Sequence, residues 1–129
     1  MSHFTTIHTQ IRDLGALGDA CADLGIQLAT GPKCRGYGGV RRTCAHVICL
    51  KGPYDIAVDP DPKHPGTFGL TTDWWDGHVV RETGENHGRL LQSYGIHKTL
   101  HEARKRGLRA TRRTREDGAV LVTLEGGAL

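Results

Sequence analysis

The sequence predicts an α+β fold, a largely antiparallel sheet with helices packed on one face. Two observations lead there. The order of segments is strand, helix, several strands, a helical region and a final hairpin, which is not the regular strand–helix alternation of a parallel sheet. The strand segments also alternate apolar and polar residues, as a sheet with one wet face requires.

The first strand is expected in SHFTTIHTQI, where Phe4, Thr6 and His8 share one face and Thr5, Ile7 and Thr9 the other. Asp13 is placed to cap a helix whose stripe is Leu14, Leu17, Cys21 and Leu24, with Gly25 just past its end. IQLAT reads as a second strand. GPKCRGYGGVRR has no helical period and reads as a loop or an irregular hairpin. TCAHVICL and YDIAV read as strands joined by the turn Lys51-Gly52-Pro53, and DPDPKHPG as a rigid polar turn. TFGLTTDW is a further strand and DGHVVRETGEN a loop.

From about Asn86 the period becomes helical. Leu90, Leu91 and Tyr94 line a buried face, and Gly95 interrupts it. Thr99 and Glu102 have capping-box spacing, so a second helix is expected to start near Thr99 and to close at Gly107. LRATRRTRE and AVLVTLE then form a hairpin through Asp117-Gly118.

At 129 residues the chain is expected to be one domain, 1–129, large enough for a core without covalent staples. No apolar run is long enough to span a bilayer, and the opening stretch has neither the basic nor the apolar region of a secretory signal. A soluble cytoplasmic protein is therefore expected, with Cys21, Cys34, Cys44 and Cys49 as reduced thiols. The net charge is +3, unevenly spread. Residues 53–85 are acidic, and residues 89–115 are basic. Such asymmetry suits an acidic partner, self-association into a homo-oligomer, or simply two solvated faces.

The chemical constellations are incomplete. Cys44, His46 and Cys49 lie close in sequence, but strand alternation puts Cys44 and His46 on one face and Cys49 on the other, so no metal ligand is assigned. No nucleophile has a recognisable orienting set, so no catalytic residue and no cofactor are assigned. RGYGG lacks the lysine of a phosphate loop. The arginines of the basic segment, Arg104, Arg106, Arg109, Arg113 and Arg115, are placed to follow a nucleic-acid backbone, without the interleaved aromatics that stack on bases. Trp74 and Trp75 stand between Asp73 and Asp76, which are placed to accept indole N–H bonds. One indole can be core while the other anchors a partner.

MSHFTTIHTQIRDL, RGYGG at 35–39, YDIAV at 54–58, DWW at 73–75, YGIHKTLHEARKRG and REDGAVLVTLEG follow one another along nearly the whole chain. In these the chain resembles the family of the hypothetical chloroplast reading frame thirty-five, found in red-algal plastids, cyanobacteria and other bacteria. The turn at 59–66 and the glycines at 15 and 18 depart from its pattern. The resemblance implies a small cytoplasmic protein without an established reaction, encoded in some genomes near AAA-type ATPases and small ferredoxin-like proteins. It supplies no catalytic residues. The matching polar and aromatic positions are Arg35, Tyr37, Tyr54, Asp55, Asp73, Trp74, Trp75, Tyr94 and His97, which are expected to share a cleft.

The leading expectation is a non-enzymatic adaptor or subunit of a larger protein complex, with an AAA-type ATPase as the partner the resemblance implies and no membrane association. It requires an exposed, partly apolar patch near Trp74 or Trp75. The alternatives are nucleic-acid binding through residues 104–115, and a small enzyme or metal site.

Overall fold

The computed structural model describes residues 3–126. It has the α+β architecture expected. Strands β1 (Phe4–His8), β2 (Gln27–Thr30), β5 (His46–Cys49), β6 (Ile56–Pro60) and β7 (Phe68–Asp73) form a five-stranded antiparallel sheet in the order β1-β7-β6-β5-β2. Helix α1 (Leu14–Asp23) links the two edge strands β1 and β2 and packs beside helix α3 (Gly88–Lys105) on one face. Strands β3 (Lys33–Arg35) and β4 (Arg41–Thr43) make a separate hairpin over the other face. β8 (Arg109–Thr114) and β9 (Val120–Glu125) make a second hairpin beside α3. Ser2, which the expected first strand included, lies outside the described residues.

Register decides which side chains are buried. Leu70, Val58, Ile56, Ile48 and Leu28 share the face toward the helices, where they pack in one core with Leu17, Cys21, Leu90 and Tyr94. Fully burying an aliphatic side chain such as Leu17, Ile48, Ile56 or Leu70 contributes about 1.5–3 kcal/mol. The opposite face carries Val47 and Ala57, packed against Cys34 and Cys44 from the β3–β4 hairpin. That hairpin approaches closely because Gly36 has no side chain: a Cβ there would sit 2.5 Å from the Phe4 ring.

Local signals set the ends of α1. The Asp13 side chain accepts the Ala16 N–H (3.1 Å), and Gly25 adopts φ +72° while Ile26 bonds back to the Cys21 carbonyl (3.0 Å). Gly107 and Leu108 close α3 in the same way, with Leu108 N–H on the Ala103 carbonyl (2.9 Å).

Three expectations need correction. The helical region is one helix, not two. Gly95 costs about 1 kcal/mol relative to alanine, too little to break a helix held by buried Leu90, Tyr94 and Ala103. Thr99 therefore donates its hydroxyl to the Gly95 carbonyl (2.9 Å) within the helix, and Glu102 pairs with Lys98 (2.9 Å). The segment 76–86, read as a loop, contains the one-turn helix α2 (Val80–Thr83) between two three-ten turns. Val79, Thr83 and His87, four residues apart, form its buried stripe. TCAHVICL is not one continuous strand: Thr43 ends β4 and β5 starts only at His46. The chain breaks at Cys44 and Ala45, where Asp59 Oδ1 accepts the Ala45 N–H (2.7 Å) and the Pro32 carbonyl accepts the Cys44 N–H (2.9 Å).

That break also corrects the placement of the cysteines. Cys44 packs with Val47 and Ala57 on the hairpin-covered face, to which Cys49 belongs by register. His46 faces the other way, edge-on to Phe68.

Candidate functional site

The hairpin-covered face is rich in carboxylates because of a short piece of sequence. Asp55-Ile-Ala-Val-Asp59-Pro-Asp61 runs through β6, and strand alternation turns its acids to this side. Asp73, at the end of β7, joins Asp55 at one edge. Asp55 and Asp73 are both buried, so each needs partners.

Asp55 finds its partner in Arg35 at the end of β3. Arg35 Nε donates to Oδ2 (2.9 Å) and Nη2 to Oδ1 (2.8 Å), a two-pronged pair. Nη2 also reaches the carbonyls of Leu50 (3.1 Å) and Gly52 (2.8 Å), and Asp55 accepts the N–H groups of Arg35 and Leu50. Next along the strand, Arg42 Nη1 donates to Asp59 Oδ2 (3.0 Å).

Asp73 organises the aromatic residues. Its Oδ2 accepts the Tyr37 N–H (3.3 Å) and its Oδ1 the Trp75 N–H (3.0 Å). The carboxylate thus takes main-chain donors rather than an indole. It brings the glycine-rich turn and the Trp75 turn side by side, and the two rings meet edge-on with centroids 5.7 Å apart. Both stay exposed, Tyr37 at 49% and Trp75 at 47%, with Val40 nearby in sequence at 55%. Between the glycine-rich turn and Tyr54 lies a cavity of about 320 Å³ with Arg35 and Arg41 in its wall.

The two tryptophans part company because β7 stops at Asp73. Trp74 turns toward the core and packs at a tilt against the buried His87 ring, centroids 4.5 Å apart. His87 Nδ1 meets the Thr83 hydroxyl (3.0 Å), while Nε2 finds no partner among the described residues. Burial pushes the His87 imidazole down to about 4.

Of the residues expected to share a cleft, Arg35, Tyr37, Tyr54, Asp55, Asp73 and Trp75 cluster at this edge, with Trp74 beneath. Tyr94 and His97 are elsewhere, serving the packing of α3 on α1. The Tyr94 hydroxyl accepts the N–H groups of Arg12 (3.0 Å) and Asp13 (3.2 Å), and His97 Nε2 meets Asp23 Oδ2 (2.7 Å). Of the basic residues, Arg104 lies in the last turn of α3 and Arg106 caps it. Arg109 and Arg113 share one face of β8, and Arg115 follows it. All five are exposed.

A second cluster was not anticipated. His8 Nδ1 lies 2.7 Å and His64 Nδ1 3.3 Å from the same oxygen, Asp61 Oδ2. The Lys63 N–H on Oδ1, and then the two imidazoles, outweigh desolvation and hold the Asp61 carboxyl at about 2. The available signal was the His in PKHPG beside an acid, but His8 joins only through the pairing of β1 with β7. On the helix side, His101 Nε2 meets Asp19 Oδ2 (2.7 Å), beside the His97–Asp23 pair.

Residues 20–123 match the model of a family described as "Protein of unknown function (DUF1257)". No curated protein and no solved structure matches the chain. Among the described residues no helix is long and apolar enough to cross a membrane.

Proposed function

The chain belongs to this family of unknown function, and we propose that it acts as a non-enzymatic adaptor whose docking surface is the Tyr37–Trp75 edge. The observation that carries this reading is the use of a buried carboxylate, Asp73, to hold two exposed aromatic rings together in water. Aromatic side chains fixed in place lose little freedom on binding and are the residues that dominate interface energies. The cavity beside them, with Tyr54 and Arg41 in its wall, fits an apolar side chain followed by an acid on a partner segment. The resemblance to the reading-frame-thirty-five family makes an AAA-type ATPase the partner to test first, in a cytoplasmic setting.

The test is affinity purification of the tagged protein with nuclease treatment, run beside Trp75→Ala and Tyr37→Ala. The expected outcome is a stoichiometric AAA-type ATPase that survives nuclease. Either variant weakens its capture more than tenfold while keeping its circular dichroism spectrum. An ATPase captured equally by all three proteins, or none captured, refutes the assignment.

One observation favours a second reading. Among the described residues β8 and β9 pair only with each other, which leaves both edges of the ribbon open there, and Arg109 and Arg113 share one face of β8. A two-stranded ribbon fits the major groove of a duplex. This reading requires duplex affinity that falls steeply with salt, with a shallower slope in Arg109→Ala/Arg113→Ala. Salt-independent or undetectable binding rejects it.

A further inference from the structure

We propose that His8, Asp61 and His64 form a binding site for a divalent transition cation of the zinc class, open on the side that faces the neighbouring cavity. The donor set is two imidazoles and one carboxylate, which suits metals of borderline softness. One nitrogen or oxygen from each residue lies within 4.8 Å of the others. The existing Nδ1–Oδ2 separations of 2.7 and 3.3 Å already approach the edge of a coordination polyhedron, roughly 3–3.5 Å for bonds of about 2.0–2.1 Å.

The arrangement is built rather than accidental. The Asp61 side chain is 1% exposed beneath two imidazoles that are 54% and 65% exposed. A buried carboxylate therefore points one oxygen at two solvent-facing rings. Its other oxygen is held by the Lys63 N–H (2.9 Å), the kind of outer partner that orients a metal-binding carboxylate. Hydrogen bonds close the turn that carries His64. The Thr67 carbonyl accepts the Asp61 N–H (2.9 Å), and the His64 carbonyl accepts both the Thr67 N–H (3.1 Å) and the Thr67 hydroxyl (2.7 Å). Pro60, Pro62 and Pro65 restrict the same turn further. His8 arrives from β1, 53 residues away in sequence, placed by the pairing of β1 with β7.

Three protein ligands leave coordination positions for water or a small anion. They open toward a cavity of about 350 Å³ that Thr6, Thr71 and the Arg42–Asp59 ion pair also line. The other His–Asp group, between α1 and α3, differs in kind. There each imidazole has its own carboxylate at 2.7 Å, which accounts for it as helix-to-helix ion pairs.

The test is calorimetric titration of the untagged, chelator-treated full chain with Zn²⁺, repeated with Co²⁺ while following its visible absorption. The variants are His8→Ala and His64→Ala, both at exposed positions and each checked for its circular dichroism spectrum, and His97→Ala as a control. The expected result is one equivalent of either metal, tenfold or more weaker in both site variants and unchanged in His97→Ala. No saturable binding by the parent overturns the proposal. So does binding that survives either site substitution, or binding that His97→Ala abolishes.

Discussion

The guanidinium of Arg35 and the carboxylate of Asp55 form a two-pronged ion pair, 2.8 and 2.9 Å long, between the β3–β4 hairpin and the main sheet. Asp55 is buried and Arg35 also holds the carbonyls of the 50–52 turn, so this pair clasps three segments at once.

Its geometry makes the arginine hard to replace. Lysine keeps the charge but loses the fork and the carbonyl contacts. Arg35→Lys is expected to lower unfolding stability by about 1–3 kcal/mol and Arg35→Ala by about 3–5 kcal/mol, because the second leaves a buried charge unpaired. Urea unfolding measures both, and a lysine variant as stable as the parent contradicts the argument.

Two glycines are expected to respond in opposite directions. A Cβ at Gly31 would run into the main-chain carbonyl of Cys44, which has no room to move at the strand break. Gly31→Ala should cost more than about 2 kcal/mol, in the range of backbone overpacking. A Cβ at Gly18, inside α1, meets nothing within 4 Å. Gly18→Ala should therefore raise stability by about 0.5–1 kcal/mol through helix propensity. Thermal melts of the two variants decide it, and a shift of the same sign in both rejects the reading.

His87 ties stability to pH. Its imidazole is pushed from the usual 6.5 down to about 4 by burial, so between these values the unfolded chain binds the proton and the folded chain does not. The stability His87 contributes is fully present above about pH 6.5 and is lost as pH falls toward 4, by roughly 3 kcal/mol in all. His87→Asn removes the titration and tolerates the positive φ of 60°. Denaturant midpoints across this range should fall less steeply in the variant. Parallel pH profiles would show that His87 is protonated or hydrated in the fold.

The four thiols are expected to separate by reactivity. All four thiols are pushed upward, first by burial, Cys21 and Cys34 to about 12, but Cys49 alone among them is exposed to a reagent. A thiol reagent at mild alkaline pH should modify one cysteine quickly and the rest only in denaturant. Two or more fast thiols in the native protein would mean that the hairpin opens off the sheet.

Much of the local structure was legible in the chain. The Asp13 cap, the Leu17–Cys21 stripe, the Gly25 and Gly107 stops and the Asp117-Gly118 hairpin each depend on residues a few positions apart, and each is present. The sequence allowed one tryptophan to be packed and the other exposed; the chain achieves this by turning after Asp73, not by strand alternation through the pair. Gly95 misled because helix propensity is a weak term against tertiary burial. Val79, Thr83 and His87 were missed because their stripe is short and partly polar.

By itself, then, the sequence determined the caps and stops that depend on near neighbours, and an α+β layering with residues 35–37 and 73–75 as candidate contacts. Only the tertiary structure decided which of these meet. Asp73 joins Tyr37 to Trp75 from 36 residues away, Arg35 reaches Asp55 across 20, and His8 meets Asp61 and His64 across more than 50. It also sent Tyr94 and His97 to α1 instead of the cleft. The reason is register: which side chains share a face of the sheet depends on strand partners distant in the chain. A period of two or of 3.6 gives the direction of each side chain but not the neighbour it will find.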